Sequence, residues 1–213
     1  MGRVMEGREG VVIATTRPPL DNLSDDVRVV WTDKRLRSNE QIRKAWALLT
    51  EISDWSGDDK EALASAMKGR FVQEYFKALN DRYWGLSNAT VSEAKAYIDM
   101  LIEVVVEYGI PTKRPLVEYC EDINKYVYAC LMNKRCAVCG KPGELHHVEA
   151  VGRRDRKTIN HLEMECLPLC REHHTESHTI GQTEFMERYH LIPVRIDERI
   201  AKKYKLNTKE GKG

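Results

Sequence analysis

Cys136–His147, CAVCGKPGELHH, and Cys170–His178, CREHHTESH, are the two segments from which the rest of the chain can be read. Cys136-x2-Cys139 and Cys170-x2-His173 supply four soft-to-borderline ligands in two close pairs, the arrangement that a tetrahedral structural Zn²⁺ requires. Gly140 and Pro142 turn the chain after the first pair. A segment too small to build a large core gains folding free energy directly from such a site. The same segments carry histidines that this zinc does not need: His146, His147, His174 and His178. On a helix opening at about Cys170, His174 and His178 lie four apart on one face and can chelate one ion together. Adjacent residues on a strand point to opposite faces, so one of His146 and His147 can ligate the ion while the other addresses a substrate.

The rest of the composition sharpens this. All seven histidines fall between His146 and His190, and four of the six cysteines lie between Cys136 and Cys170. The first residues, MGRVMEGREG, lack the apolar run of a secretory signal, so a cytoplasmic location is expected. There thiols stay reduced, which favours metal binding over three disulfides. No apolar run approaches the roughly 20 residues of a membrane span. A net charge of +1 does not by itself argue for a nucleic-acid partner. The charge is uneven, however: residues 134–213 carry 16 Lys and Arg against 12 Asp and Glu, and the first 133 carry 18 against 21. Arg153, Arg154, Arg156 and Lys157 crowd one loop, where they could grip phosphates without sequence preference or simply be solvated. His161 and His190 read as surface or packing histidines, and Cys166, Cys120 and Cys130 as small buried residues.

The expected fold class is α+β: a mainly helical amino-terminal domain with a short strand or hairpin, followed by a zinc-stapled domain. GVVIATT and VRVVW look like short strands in residues 1–37. Ser38 and Gln41 have the spacing of a capping box, and Ile42, Ala45, Trp46, Leu49 and Ile52 recur at helical intervals up to Gly57. Trp46 and Trp55 are expected in or near the core. A second helix is expected over 59–79. A third follows Thr90 and Glu93, buries Ala94, Ile98, Leu101, Ile102, Val105 and Val106, and stops at Gly109 and Pro111. Residues 115–133 read as a linking helix with Pro115 in its first turn. Helices are expected over 182–190 and 195–204, with a frayed tail after them. The domain boundaries that follow are 1–114, the linking helix 115–133, 134–192, and a carboxy-terminal helix and tail over 193–213.

At the paired histidines the sequence resembles the HNH (ββα-metal) endonucleases, in which a β-hairpin and a helix pinch one divalent ion. The resemblance implies that His147 is the general base and that His146, His174 and His178 face a catalytic ion, Mg²⁺ or Mn²⁺. Glu144, two residues before His146, could orient a ligand from behind or face solvent. One departure stands out: nine residues before His174, where the family has its middle Asn, this chain has Glu165. An ionised Glu cannot donate the same hydrogen bond, so Asn160 or His161 are the candidates to replace that Asn.

Ser38–Leu49 (SNEQIRKAWALL) and Thr90–Gly109 also resemble the phage NinB/Orf recombination mediators, through Gln41, Arg43, Lys44, Trp46 and Val91-Ser92-Glu93. Such a region joined to a CxxC-bearing HNH unit is similar to the HNHc nucleases of phages and prophages. The resemblance implies a hydrolase acting on DNA, single-stranded or branched, in phage recombination or replication within a bacterial host cell. Implied partners are recombination or single-strand-binding proteins, with a homodimer also open. A non-catalytic zinc-ribbon nucleic-acid-binding protein, or a mediator that only loads other proteins, is the rival reading.

Overall fold

Ser38 opens the first long helix as its spacing predicts. The computed structural model describes residues 3–7, 10–14, 35–76, 84–148, 160–162 and 164–208. The chain divides into two units, Met1–Thr32 and Asp33–Gly213. In the first, β1 (Arg3–Gly7) pairs antiparallel with β2 (Gly10–Ala14), with Arg3 opposite Ala14. The strand expected at GVVIATT is therefore present, and its partner is RVMEG, a five-residue segment whose alternation is too short to stand out alone. VRVVW lies outside the described residues.

In the second unit, α1 (Asn39–Ser56) begins with a complete capping box. The Gln41 backbone N–H donates to Ser38 Oγ at 3.1 Å, and the Gln41 side-chain oxygen accepts from the Ser38 N–H at 3.0 Å. Gln41 Nε2 also donates to the Val91 carbonyl and to Glu121, so one buried amide ties the start of α1 to the start of α3 (Val91–Tyr108). Thr90 and Glu93 form the second box, and Gly57 and Gly109 close the two helices with left-handed backbone, φ 77° and 64°. α2 is Lys60–Phe76. Helix α3 is the central element: Ala94, Tyr97, Ile98, Leu101, Ile102 and Val105 are all buried, packed against α1, α2 and α4 (Ile123–Asn133).

Two aromatic expectations are corrected. Trp46 is 39% exposed and Trp55 is 50% exposed. The buried face of α1 runs through Gln41, Ala45, Leu48, Leu49 and Ile52, which turns Trp46 outward beneath the Lys60 ammonium, 5.4 Å from its ring. Trp55 sits in the last turn against Tyr108. Trp84 takes the core position instead, 4.5 Å from Phe71 and 5.1 Å from Tyr97 between ring centres. The single linking helix is also corrected. A 3₁₀ turn spans Leu116–Tyr119, Cys120 is extended, and Asp122 restarts the helix by accepting from the Lys125 N–H. A capping carboxylate ahead of Ile123 competes with continuous helix, which is why the run divides there. Cys130, Val127 and Leu131 are buried, and Cys120 is half-buried.

Helix α4 packs on α3 on one side and on a second sheet on the other. That sheet has the order β3 (Glu144–His147), β4 (Glu165–Leu169), β5 (Val194–Arg195), antiparallel throughout. It is followed or flanked by α5 (Arg171–Ile180), α6 (Gln182–Tyr189) and α7 (Glu198–Tyr204). The helix expected over 195–204 starts later, because Val194 and Arg195 are drawn onto β4 and Asp197 caps the Ile200 N–H. Tyr126, Tyr128 and Tyr204 fasten α4 to its neighbours through hydrogen bonds to the Ala137 carbonyl, Asp197 and the Leu131 carbonyl.

One turn holds the first Cys pair at close quarters. A methyl group on Gly143 would lie 2.8 Å from the Cys136 backbone nitrogen, whereas one on Gly140 would meet nothing within 4 Å and suffer only from φ 70°. Gly143→Ala is therefore expected to destabilise the protein by about 1–3 kcal/mol through a clash that backbone cannot relieve. Gly140→Ala should cost about 1 kcal/mol from conformation alone. Thermal unfolding of the two variants checks the order; equal losses would mean that the turn opens freely.

Candidate metal centres and the paired histidines

The first cluster is built by two backbone turns that meet. After Cys136, the Gly140 N–H donates to the Cys136 carbonyl at 2.9 Å and the Cys136 N–H to the Lys141 carbonyl at 2.8 Å, which folds the pair into a knuckle. The Ala137 N–H donates to the Pro168 carbonyl, docking the knuckle on β4. Cys170 is the residue before α5, and the His174 N–H bonds its carbonyl, so His173 projects from the first helical turn beside it. The potential ligand atoms of Cys136, Cys139, Cys170 and His173 all lie within 4.8 Å of one another.

The separations test whether zinc fits. A tetrahedral ion with ordinary Zn–S and Zn–N bonds sets S–S edges of roughly 3.8 Å and S–N edges of roughly 3.5 Å. The observed edges are 3.7 Å for Cys139 Sγ to Cys170 Sγ, 3.5 Å for Cys136 Sγ to His173 Nδ1, and 3.1 Å for Cys170 Sγ to the same nitrogen. Burial pushes the Cys136 thiol up to about 12 and lowers His173. A neutral imidazole is ready to ligate, and so buried a thiolate is sustained only by a cation beside it. These four residues could hold a metal such as zinc.

The second cluster is His146, His174 and His178. Strand β3 delivers His146, which stands opposite Leu167 and is 3% exposed; α5 delivers the other two one turn apart. Ring centres are 4.6 Å apart for His146 and His174, 5.1 Å for His146 and His178, and 4.8 Å for His174 and His178. Burial, with the two facing imidazoles adding to it, lowers His146 to about 4, so its ring is neutral and able to donate a lone pair at neutral pH. Three convergent imidazoles can hold a divalent ion. Gln182, the first residue of α6, places its amide against His146 Nε2, while its carbonyl oxygen is buried without a hydrogen-bond partner. The sequence reading missed Gln182, since it lies across the Gly181 break where helical spacing from His178 carries no meaning.

His147, next along β3 and half-buried, takes the other side of the strand. Its Nε2 lies 3.0 Å from Nδ1 of His161. His161 is the packed histidine of the two expectations, only 2% exposed, while His190 is exposed in a left-handed C-cap, φ 52°. Cys166 is fully buried behind the strand pair. Glu144 is exposed at the start of β3, opposite Leu169. Glu165 is exposed and faces Arg195 across the sheet, while its backbone carbonyl accepts from the Val148 N–H. Asn160 braces its own loop, accepting from the Leu162 N–H at 3.0 Å. Arg153, Arg154, Arg156 and Lys157 lie outside the described residues.

A paired strand and a helix closing on three histidines, beside a Cys₃His cluster, make this a protein with two centres able to hold metal. The model of the family described as "Putative HNHc nuclease" matches residues 15–207, and the chain belongs to that family. The match takes in α1 through α7, so the helical half is part of the family unit as well as the Cys/His segment. No curated protein and no solved structure matches the chain. No helix among the described residues is long and apolar enough to cross a membrane.

Proposed function

We propose that the chain is a metal-dependent DNA endonuclease that hydrolyses phosphodiester bonds. The observation that carries the reading is the division of labour at β3: His146 turns into the three-histidine cluster, and His147, the very next residue, does not join it. His146, His174 and His178 would hold the catalytic ion, Mg²⁺ or Mn²⁺, and Cys136, Cys139, Cys170 and His173 a structural Zn²⁺. When bound, the catalytic ion supplies charge stabilisation at the phosphate and the departing oxygen. His147 takes the proton from the attacking water. Arg153, Arg154, Arg156 and Lys157 would hold flanking phosphates and give affinity without base preference.

Residues 1–114 would act as the DNA- or partner-binding part, with the Cys/His part over 134–192 as the nuclease. The resemblance of Ser38–Leu49 and Thr90–Gly109 to recombination mediators supports a task in phage recombination or replication, on single-stranded or branched DNA.

Two measurements test this. Metal analysis of the intact chain should find one tightly held zinc and one weaker, exchangeable divalent ion, and the double variant His174→Ala, His178→Ala should lose the second alone. Supercoiled plasmid, single-stranded DNA and a branched junction with Mg²⁺ or Mn²⁺ should be nicked by the intact chain and not by the double variant. One tight ion and no cleavage of any substrate would make the protein a zinc-ribbon binder.

A further inference from the structure

The whole chain carries 34 Lys and Arg against 33 Asp and Glu, so a surface that gathers cations without acids is set by folding and not by composition. One such surface lies where the end of α3 meets the Cys136–Cys139 knuckle. A crevice of about 480 Å³ runs between residues 109–116 and the segment that holds Arg135 and residues 138–141. Four cations line it, Lys113, Arg114, Arg135 and Lys141, and no carboxylate does among the described residues. A methyl group on Gly109 would collide with the Arg135 guanidinium, so the glycine admits that side chain to the crevice wall. Among the described residues, the Arg114 and Arg135 guanidiniums have no carboxylate partner. Lys113 pairs with Asp54 and Lys141 with Glu172, each at 3.0 Å, but all four side chains are more than half exposed. Ion pairs of that kind contribute little and exchange readily for another anion.

Two aromatic rings stand at the edge of this crevice. Tyr108 directly precedes Gly109, and Asp54, the neighbour of Trp55, holds Lys113. The Trp55 and Tyr108 ring centres are 6.3 Å apart, and the two residues are 50% and 56% exposed, so both offer ring surface to solvent. Cations beside exposed aromatics suit a single strand: the cations track its phosphates, and its unpaired bases stack on the rings whatever their identity. A duplex has its base faces already stacked on one another and gives Trp55 nothing to cover. We propose that the crevice and its aromatic rim bind single-stranded DNA, with phosphates held by Lys113, Arg114, Arg135 and Lys141 and an unpaired base stacked on Trp55 and Tyr108. The inference rests on the reading of the chain as a DNA endonuclease and names the form of DNA that it takes. Glu172, the partner of Lys141, lies in the first turn of α5, two residues before His174. The crevice therefore borders the start of the helix that carries two of the three clustered histidines.

Binding is read apart from cleavage when no Mg²⁺ or Mn²⁺ is added. Fluorescence anisotropy of the full-length protein should show labelled oligo-dT bound at least about 10-fold more tightly than a duplex of the same length. The triple variant Lys113→Gln, Arg114→Gln, Lys141→Gln should weaken oligo-dT binding and reduce the slope of log K against log salt by about 2, from three phosphate contacts at about 0.7 each. Trp55→Ala should weaken it roughly 5- to 150-fold, the range for one stacked base, and leave the salt slope unchanged. Trp55→Phe should keep most of the affinity. All the replaced side chains are exposed, and circular dichroism checks that each variant folds; Tyr108→Ala replaces Trp55→Ala if the latter does not. Equal affinity for oligo-dT and duplex, tighter binding of oligo-U, or a folded aromatic variant that binds as the intact chain does would overturn the inference. Binding with these effects but no cleavage of any DNA would sink the nuclease reading and leave the single-strand site standing. Cleavage with undiminished binding by the variants would do the reverse.

Discussion

Cys136→Ser should unfold the sheet and the helices around it, and is expected to be the most destabilising single substitution among the cluster residues. Cys136 is fully buried at the point where the knuckle docks on β4, and its thiol is pushed up to about 12 by that burial. Without a cation, the protein must bury a protonated thiol beside two others and an imidazole, all within 4.8 Å. A structural zinc in a small site contributes roughly 10–16 kcal/mol of apparent binding free energy, which is as large as the whole stability of an ordinary domain. Losing even half of it lowers Tm by more than about 10 °C in a chain of this size. Cys166→Ser is the control: that residue is just as buried but belongs to neither cluster, and the change should cost about 1–3 kcal/mol for an added polar group. Calorimetry of both variants, with the zinc content of each, checks the expectation. Equal losses of Tm, or full zinc content in Cys136→Ser, would show that the cluster does not hold the fold.

His147→Ala should abolish most cleavage while leaving metal content and folding intact. Loss of a positioned general base lowers the rate about 10²- to 10⁴-fold. The side chain is half-buried on the side of β3 away from the three-histidine cluster, and removing it takes no ligand from either cluster. His146→Ala is expected to fail differently: it removes the buried member of the three-histidine cluster and should lose the exchangeable ion as well as activity. Single-turnover nicking at saturating Mn²⁺, with metal titration of each variant, separates the two. If His147→Ala also lost the ion, the division of roles along β3 would be wrong.

The strongest local signals in the chain were the ones that specify backbone chemistry over three or four residues. Ser38 with Gln41 and Thr90 with Glu93 make both capping boxes, and Gly57 and Gly109 stop both helices, because caps are satisfied within one turn. Zinc-ligand spacing is legible for the same reason: Cys-x2-Cys and Cys-x2-His are set by the reach of one knuckle. Burial was less legible. Trp46 and Leu49 lie three apart on neighbouring arcs of α1, and only the packing of the other helices around α1 decides that Leu49 is covered and Trp46 is not. The break in the run before Ile123 was visible as Asp122, but apolar periodicity on both sides masked it.

The sequence by itself determined the α+β class, the principal helices, the two sets of metal-capable residues, and the expectation that the paired histidines divide their roles. Those features depend on contacts within a turn or on the alternation of a single strand. Only the tertiary structure decided what stands behind them. Gln182 reaches His146 from a helix 36 residues away, and His161 meets His147 across 14 residues, under a clamp from Asn207. No local spacing encodes such pairs, because they arise where separate elements pack, and packing geometry belongs to the whole unit.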